Sequence, residues 1–301
     1  MTKIAHIINP VKAPKGSELD IVQPITFETM RLAKSFTQAE IEVELFTTCY
    51  SEDHSIIPDF FIKTKDLDKS IRDIDAYASK KKLPFIKDIL GRLFDATDAQ
   101  WLIYTNADIC LMPQFYMAVN GMIAEGHDAI LINRRRISKR YNSIAQLAEM
   151  YSDIGGSHPG YDCFVFHRSL LDRFLLDGIC IGVPFIEVSL LHNLIAFASN
   201  LKHVDDMHLT FHIGMEVMPA VDKDLYQYNR GIYESNIRPQ LKPDLDITKF
   251  PYAELPFYKR MIKRALNPCY SSALVLELEG KSALSRLKIR LDEWRWRILA
   301  R

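Results

Sequence analysis

The sequence carries no surplus of charge: 38 Lys and Arg residues are matched by 38 Asp and Glu in 301 residues. With no global field to draw in a polyanion, nucleic acid is excluded as a partner except through a local patch. There is no C-x-x-C pair either. The five cysteines, Cys49, Cys110, Cys163, Cys180 and Cys269, are odd in number and scattered, which rules out zinc or dithiol spacing and suits a reducing compartment. No uninterrupted apolar run is long enough to span a bilayer, and the stretch Ile4 to Ile8 is too short for a secretory core. A cytoplasmic location is the expectation. Internal repeats and low-complexity tracts are also missing. What is left, 48% hydrophobic and 25% charged residues, is the composition of a globular chain able to bury a sizeable core.

Short β-prone runs at residues 4–8, 41–47, 101–105, 129–132 and 163–166 read as strands. Between them, Pro24 to Gln38, Pro84 to Ala96, Pro113 to Ala124 and Ser143 to Ser152 carry apolar residues at helical spacing. Three of these begin with proline, which suits a first helical turn. The alternation predicts an α/β fold, a sheet flanked by helices that receives ligands beyond the carboxyl ends of its strands. Asp205 to His212 alternates polar and apolar residues and predicts a late strand with His208 and His212 on one face. After Gly214 the chain turns Tyr- and Pro-rich and then helical. The expected division is residues 1–215 and a largely helical extension, 216–301.

The segment Trp101 to Pro113 reads as a buried strand that ends in Asn106 and Asp108. Two polar groups so spaced suit a hard divalent ion, Mg²⁺ or Mn²⁺, which takes one or two protein carboxylates and fills its other positions from substrate phosphates. A simple turn before the next helix would use the same residues. This segment resembles the Asp-x-Asp region of nucleotide-diphospho-sugar transferases with the glycosyltransferase-A fold. Further matches follow in order: Asn9 to Pro14 after the first strand, Gly160 to Phe166 as a Gly-x-Asp strand, and Phe211 to Gly214 as a metal-binding His loop. The resemblance spans residues 1–215. It implies a mixed sheet, a nucleotide-sugar donor, a hydroxyl acceptor on a glycan or lipid-linked carrier, and a metal at Asp108 and His212. Asn106 departs from the pattern, since an acidic residue is usual there; its amide would contact the ion through water or bond a ribose.

Other residues carry a functional and a structural reading side by side. Asp162, behind the glycine-rich approach Gly155 to Gly160, would bond sugar hydroxyls or form a turn; the glycines would let a sugar approach the backbone. His158 would line the same loop. Glu187, in the first turn of an apolar helix, stands where inverting members of the resembled family place a general base; it also suits the helix dipole. Arg134 and Arg136, on one side of an extended segment with Arg135 opposed, would pair with a diphosphate or lie at a solvated edge. Asn9 and Lys12, with Lys15, are nucleotide-contact candidates in the first loop.

The end of the chain is basic. From Lys281 onward, seven Lys or Arg stand against Asp292 and Glu293. Leu284, Leu287, Leu291, Trp294 and Ile298 follow helical spacing, so residues 281–301 would either cover apolar surface on the catalytic domain or lie peripherally on the inner face of a membrane. The expected activity is a glycosyltransferase. A nucleotidyltransferase would need a glycine-rich basic loop after the first strand, where Asn9 to Ser17 has only Gly16. A non-catalytic nucleotide- or sugar-binding homologue is the third reading, favoured by Asn106.

Overall fold

The computed structural model describes residues 1–205, 207–215, 222–266, 271–278, 280 and 282–299. The chain opens β1 (Thr2–Ile8), α1 (Glu18–Ser35), β2 (Ile41–Thr47), β3 (Ile62–Lys63), α2 (Ile86–Ala96) and β4 (Trp101–Thr105). It continues β5 (Cys110–Leu111), α3 (Phe115–Ala124), β6 (Ala129–Ile137), α4 (Leu147–Ser152), β7 (Gly156–His167), α5 (Ile186–Phe197), β8 (Leu201–Val204) and β9 (Thr210–Ile213). Helices α6 (Lys223–Ile232), α7 (Arg238–Leu241), α8 (Phe257–Leu266), α9 (Ser271–Leu278) and α10 (Ser282–Leu299) follow.

Among the described residues nine strands form one mixed sheet in the order β3-β2-β1-β4-β7-β6-β9-β5, with β8 also on β6. Strands β3, β2, β1 and β4 are parallel; β7 runs antiparallel to both β4 and β6, and β6 is therefore parallel to β4. One edge thus collects the carboxyl ends of β2, β1, β4, β6 and β9 together with the beginning of β7. Both faces are covered, so the central strands are apolar on both sides. Ala5, Ile7, Leu102, Tyr104, Leu131, Phe164 and Phe166 face α2 and α5, while Ile4, Ile8, Ile103, Ile130, Ile132 and Val165 face α1 and α3.

The register carries one irregularity that matters for the edge. Ile132 lies opposite Cys163, but Asn133 lies opposite Tyr161. Asp162 is left as the extra residue of a β-bulge, a device that re-aims a side chain. The bulge also explains how Tyr161 and Phe164, three positions apart, reach the same core.

Several elements differ from their sequence reading. Helix α1 starts six residues before Pro24, at Glu18, where the Ser17 side chain accepts the Asp20 N–H. Pro24 therefore sits inside the helix, and burial of Val22, Ile25, Phe27 and Met30 compensates for the lost backbone bond. The helix ends at Ser35, short of Gln38, because the Phe36 N–H closes on Leu32. The late strand is only Thr210–Ile213: His208 lies in the left-handed region at φ 48°, which breaks the alternation, so His208 and His212 do not share a strand face. Asp206 and Cys269 lie outside the described residues; Cys49, Cys110, Cys163 and Cys180 are free and buried.

Beyond residue 222 the chain is largely helical. Tyr233, Ile237, Leu241 and Phe250 are buried in the core that also holds α5 and the sheet. The tail differs from the packing expectation: Leu284, Leu287, Leu291 and Trp294 are exposed, and the Ile298 side chain lies outside the described residues. None of the described helices is long and apolar enough to cross a membrane. Because Phe250 is 1% exposed in the shared core, Phe250→Ala should cost about 3–5 kcal/mol. A calorimetric melt should shift as a single transition; an unchanged sheet transition would show residues beyond 222 to be an independent unit.

Candidate active site

The site grows from the strand ends. After β4, Ile109 N–H closes a turn on the Asn106 carbonyl, and this turn presents Asp108 toward β9. There His212 Nε2 meets Asp108 Oδ2 at 3.2 Å. From the bulge in β7, Asp162 Oδ1 accepts from Arg134 Nη1 at 2.8 Å. His158 Nε2 stands 3.9 Å from the other Asp162 oxygen. Arg134, His158, Asp162 and His212 are each only 10–14% exposed, and Asp108 is 27% exposed. The structure therefore brings together five of the residues singled out in the sequence.

Their protonation follows from burial against charge. Burial pushes the Asp108 carboxyl up, but the hydrogen bond and charge of His212, helped by Arg134, outweigh it and hold the group below its ordinary value. Asp162 goes the other way: burial raises it, and Arg134 offsets only part of that. Burial, with Arg134 and Arg136 alongside, pushes His158 down to about 2, so its ring is neutral. Among the described residues, Asp108 Oδ1, Arg134 Nε, His158 Nδ1, Asp162 Oδ2 and His212 Nδ1 are buried without a hydrogen-bond partner. Each such group costs about 1–3 kcal/mol. Five in one cluster mark a place built to receive polar groups.

The remaining candidates are dispersed along the same edge. Asn9 donates to the Thr48 carbonyl at 2.6 Å, and the Lys12 N–H donates to Asp53 at 2.7 Å while its side chain is exposed. Asn106 is tied to the strand that precedes it. Its Oδ1 accepts from the buried Tyr104 hydroxyl at 2.8 Å, so the amide is anchored to the core by one lone pair of its oxygen. Arg136 Nη2 donates to the Ser157 carbonyl at 3.0 Å and Nη1 to that of Met215. Arg135 turns away, to the carbonyls of Ile154 and Gly155. Sequence reasoning missed Glu18, whose carboxylate comes within 3.8 Å of His212, and the buried Thr47 and Thr48 hydroxyls, which have no partner at the end of β2. The position of the two threonines at the end of a parallel strand beside Asn9 is the signal that would have found them.

Glu187 stands at the beginning of α5, and its Oε1 accepts the Tyr161 N–H at 3.1 Å. Two of the glycines, Gly155 and Gly160, are points of close approach within the protein. A Cβ on Gly160 would lie 2.6 Å from both Glu187 oxygens, and one on Gly155 would lie 2.3 Å from the Arg136 carbonyl oxygen. The space is taken by the protein's own groups rather than left for a sugar.

Among the described residues no three His, Cys, Asp or Glu side chains gather as a metal cage. Asp108 Oδ2 and His212 Nε2 nevertheless have the separation of adjacent ligands on an ion with bonds of ~2.1 Å. A two-residue site fits Mg²⁺ or Mn²⁺, which fills its other positions with water and phosphate oxygens.

The architecture is a mixed sheet flanked by helices. The chain is similar to TarS of S. aureus, residues 1–349 in complex with UDP-GlcNAc, at 10% identity and TM-score 0.45, over 99% of this chain and 90% of that one. It is similar to the mannosyltransferase PcManGT of Pyrobaculum calidifontis, in complex with GDP-Man and Mn²⁺, at 12% identity and TM-score 0.45, covering 99% and 82%. It is also similar to 4-diphosphocytidyl-2C-methyl-D-erythritol synthase of Anaerococcus prevotii, at 12% identity and TM-score 0.40, covering 77% and 98%. At such identities and TM-scores these likenesses say nothing of this chain's activity or substrate. No protein-family model and no curated protein matches the chain.

Gly155 has φ +56° and no room for a Cβ, whereas at neighbouring Gly156 the nearest atom to an added Cβ is a movable Arg136 nitrogen at 3.4 Å. Gly155→Ala should therefore cost roughly 1–3 kcal/mol and Gly156→Ala clearly less. Urea midpoints of the two variants check this, and equal values would contradict the close approach of β6 and β7.

Proposed function

We propose that the chain is a glycosyltransferase that moves a sugar from a nucleoside-diphosphate donor to a hydroxyl acceptor, assisted by Mn²⁺ or Mg²⁺. The observation that supports it best is the cluster of buried, unpartnered charged and polar atoms at Asp108, Arg134, His158, Asp162 and His212. It lies at the carboxyl edge of the sheet, where open α/β sheets receive ligands.

In this reading Asn9, Thr47, Thr48 and Lys12 line the nucleoside end. Asp108 and His212 hold the ion, which when bound neutralises charge on the departing diphosphate. Arg134 and Arg136 stand on the same side and assist with further positive charge. Asp162 holds Arg134 in place, and its second oxygen accepts from a sugar hydroxyl. Glu187 takes the proton of the acceptor hydroxyl; its carboxylate is oriented by the Tyr161 N–H and stands in the first turn of α5.

Asp108→Asn should weaken UDP or GDP binding in Mn²⁺ by about tenfold or more, with little change in metal-free buffer. Calorimetry with and without the ion decides it, and unchanged affinity in Mn²⁺ removes Asp108 as a ligand. Glu187→Gln keeps the oxygen that accepts the Tyr161 N–H, so fold and donor binding should persist. Turnover across a panel of nucleotide sugars should fall by ~10²–10⁴-fold; a variant as active as the parent would leave Asp162 as the base.

A further inference from the structure

The described chain exposes seven large hydrophobic side chains on α8 and α10, as many as in all the rest of its described residues. On α8 they are Phe257, Tyr258 and Ile262; on α10, Leu284, Leu287, Leu291 and Trp294. The α10 set recurs at intervals of three, four and three, which places it on one face of the helix. Among the described side chains of α10, those that turn inward are Ser285 and Lys288, 2% and 5% exposed. Over residues 284–294 the described polar side chains that turn inward and the leucines that face out are not a pattern written to cover the chain's own core.

The surroundings are basic. Between residues 257 and 301 there are eleven Lys or Arg against four Asp or Glu, in a chain that is neutral overall. Helix α8 contains no acidic residue, and Lys259, Lys263, Arg286 and Arg290 are exposed near the apolar side chains. The platform beneath is tied down: α10 packs on α9, and Glu277 of α9 binds Lys242 at 3.0 Å and also Arg238.

We propose that α8 and α10 dock this protein on an anionic lipid bilayer, with Leu284, Leu287, Leu291 and Trp294 entering the interface and the Lys and Arg side chains meeting the headgroups. Charge selects this occupant. A second copy would bring one cationic face against another, and a polyanion such as RNA would leave the leucine stripe in water. An anionic membrane satisfies both halves of the surface, because amphipathic helices of this kind bind through buried apolar area and attraction to anionic lipid together. The inference stands apart from the proposed activity and needs no turnover for its test.

The full chain is sedimented with vesicles of phosphatidylcholine alone and with vesicles containing about one third phosphatidylglycerol. Binding is expected to the anionic vesicles only, and to fall by roughly tenfold or more when salt shortens the screening length from ~10 Å to ~3 Å. Leu287→Ser/Leu291→Ser/Trp294→Ser should abolish binding with an unchanged melting temperature, and Arg286→Glu/Arg290→Glu should weaken it. Lack of salt-sensitive vesicle binding by the intact chain would sink the proposal. So would a large drop in melting temperature of the serine variant, which would mean that the stripe covers the fold. RNA binding that survives the serine substitutions without any vesicle binding would make this a polyanion surface, and a dimer broken by them would make it a self-association face; either overturns the inference.

Discussion

The edge of the sheet is organised around a charge that cannot be buried alone. Arg134 is 11% exposed and Asp162 14%, and they meet at 2.8 Å. Removing one partner from such a pair typically costs 3–5 kcal/mol, because the other is left uncompensated. To meet, the two residues need β7 to run antiparallel between β4 and β6, and they need Asp162 to be the extra residue of the bulge. Gly155 then lets the start of β7 close against the Arg136 carbonyl. The pair, the strand direction, the bulge and the glycine are one constraint seen at four levels.

The pair is also incomplete, and that is where function enters. Asp162 keeps one oxygen without a partner, Arg134 keeps Nε, and the neutral ring of His158 keeps Nδ1. A core designed for stability alone would satisfy these atoms or replace them with apolar groups. Nearby His6 shows the contrast. It is fully buried and burial pushes it down to about 3, yet both ring nitrogens have partners at 2.9 Å, in Tyr116 and Thr105. His6 is satisfied at both nitrogens, whereas His158 is left open at the edge.

What was legible in the sequence divides along the same line. The strands Ile41–Thr47 and Trp101–Thr105 were readable to the residue because each is a short β-prone run; Asp108, Asp162, Arg134, His158 and His212 were singled out one by one, and only Asp108 and His212 were paired, through the resemblance. The role of the glycines was not legible. A glycine beside a polar loop looks like room for a ligand, and only tertiary packing reveals that Glu187 and Arg136 occupy that room. The bond from Tyr104 to Asn106 was not visible for a similar reason, since a tyrosine two residues earlier is indistinguishable in sequence from any core aromatic. The reach of β6 to Ile137 was missed because its polar end is stabilised by pairing with β9, a contact between distant segments. Pro24 misled as a helix start because its cost is offset by burial that local pattern does not report.

Tyr161 shows how the edge is connected to the rest of the chain. Its N–H donates to Glu187 on α5, and its hydroxyl lies 2.9 Å from Asp205 and 3.0 Å from His203 Nδ1. Burial lowers His203 below its ordinary value, which favours the neutral ring. Its Nε2 contacts the Lys249 carbonyl at 2.8 Å, and because a carbonyl only accepts, the ring proton must reside there. Nδ1 is then an acceptor, and the single hydroxyl proton of Tyr161 faces two acceptors at once. The residue adjoining Asp162 is thereby held at its backbone by α5 and at its ring by β8 and the segment around Lys249. Residues past 222 therefore do more than cover α5: through one tyrosine they fix the position of the strand that carries Asp162, so the geometry of the charged cluster depends on a part of the chain that contributes none of its charges.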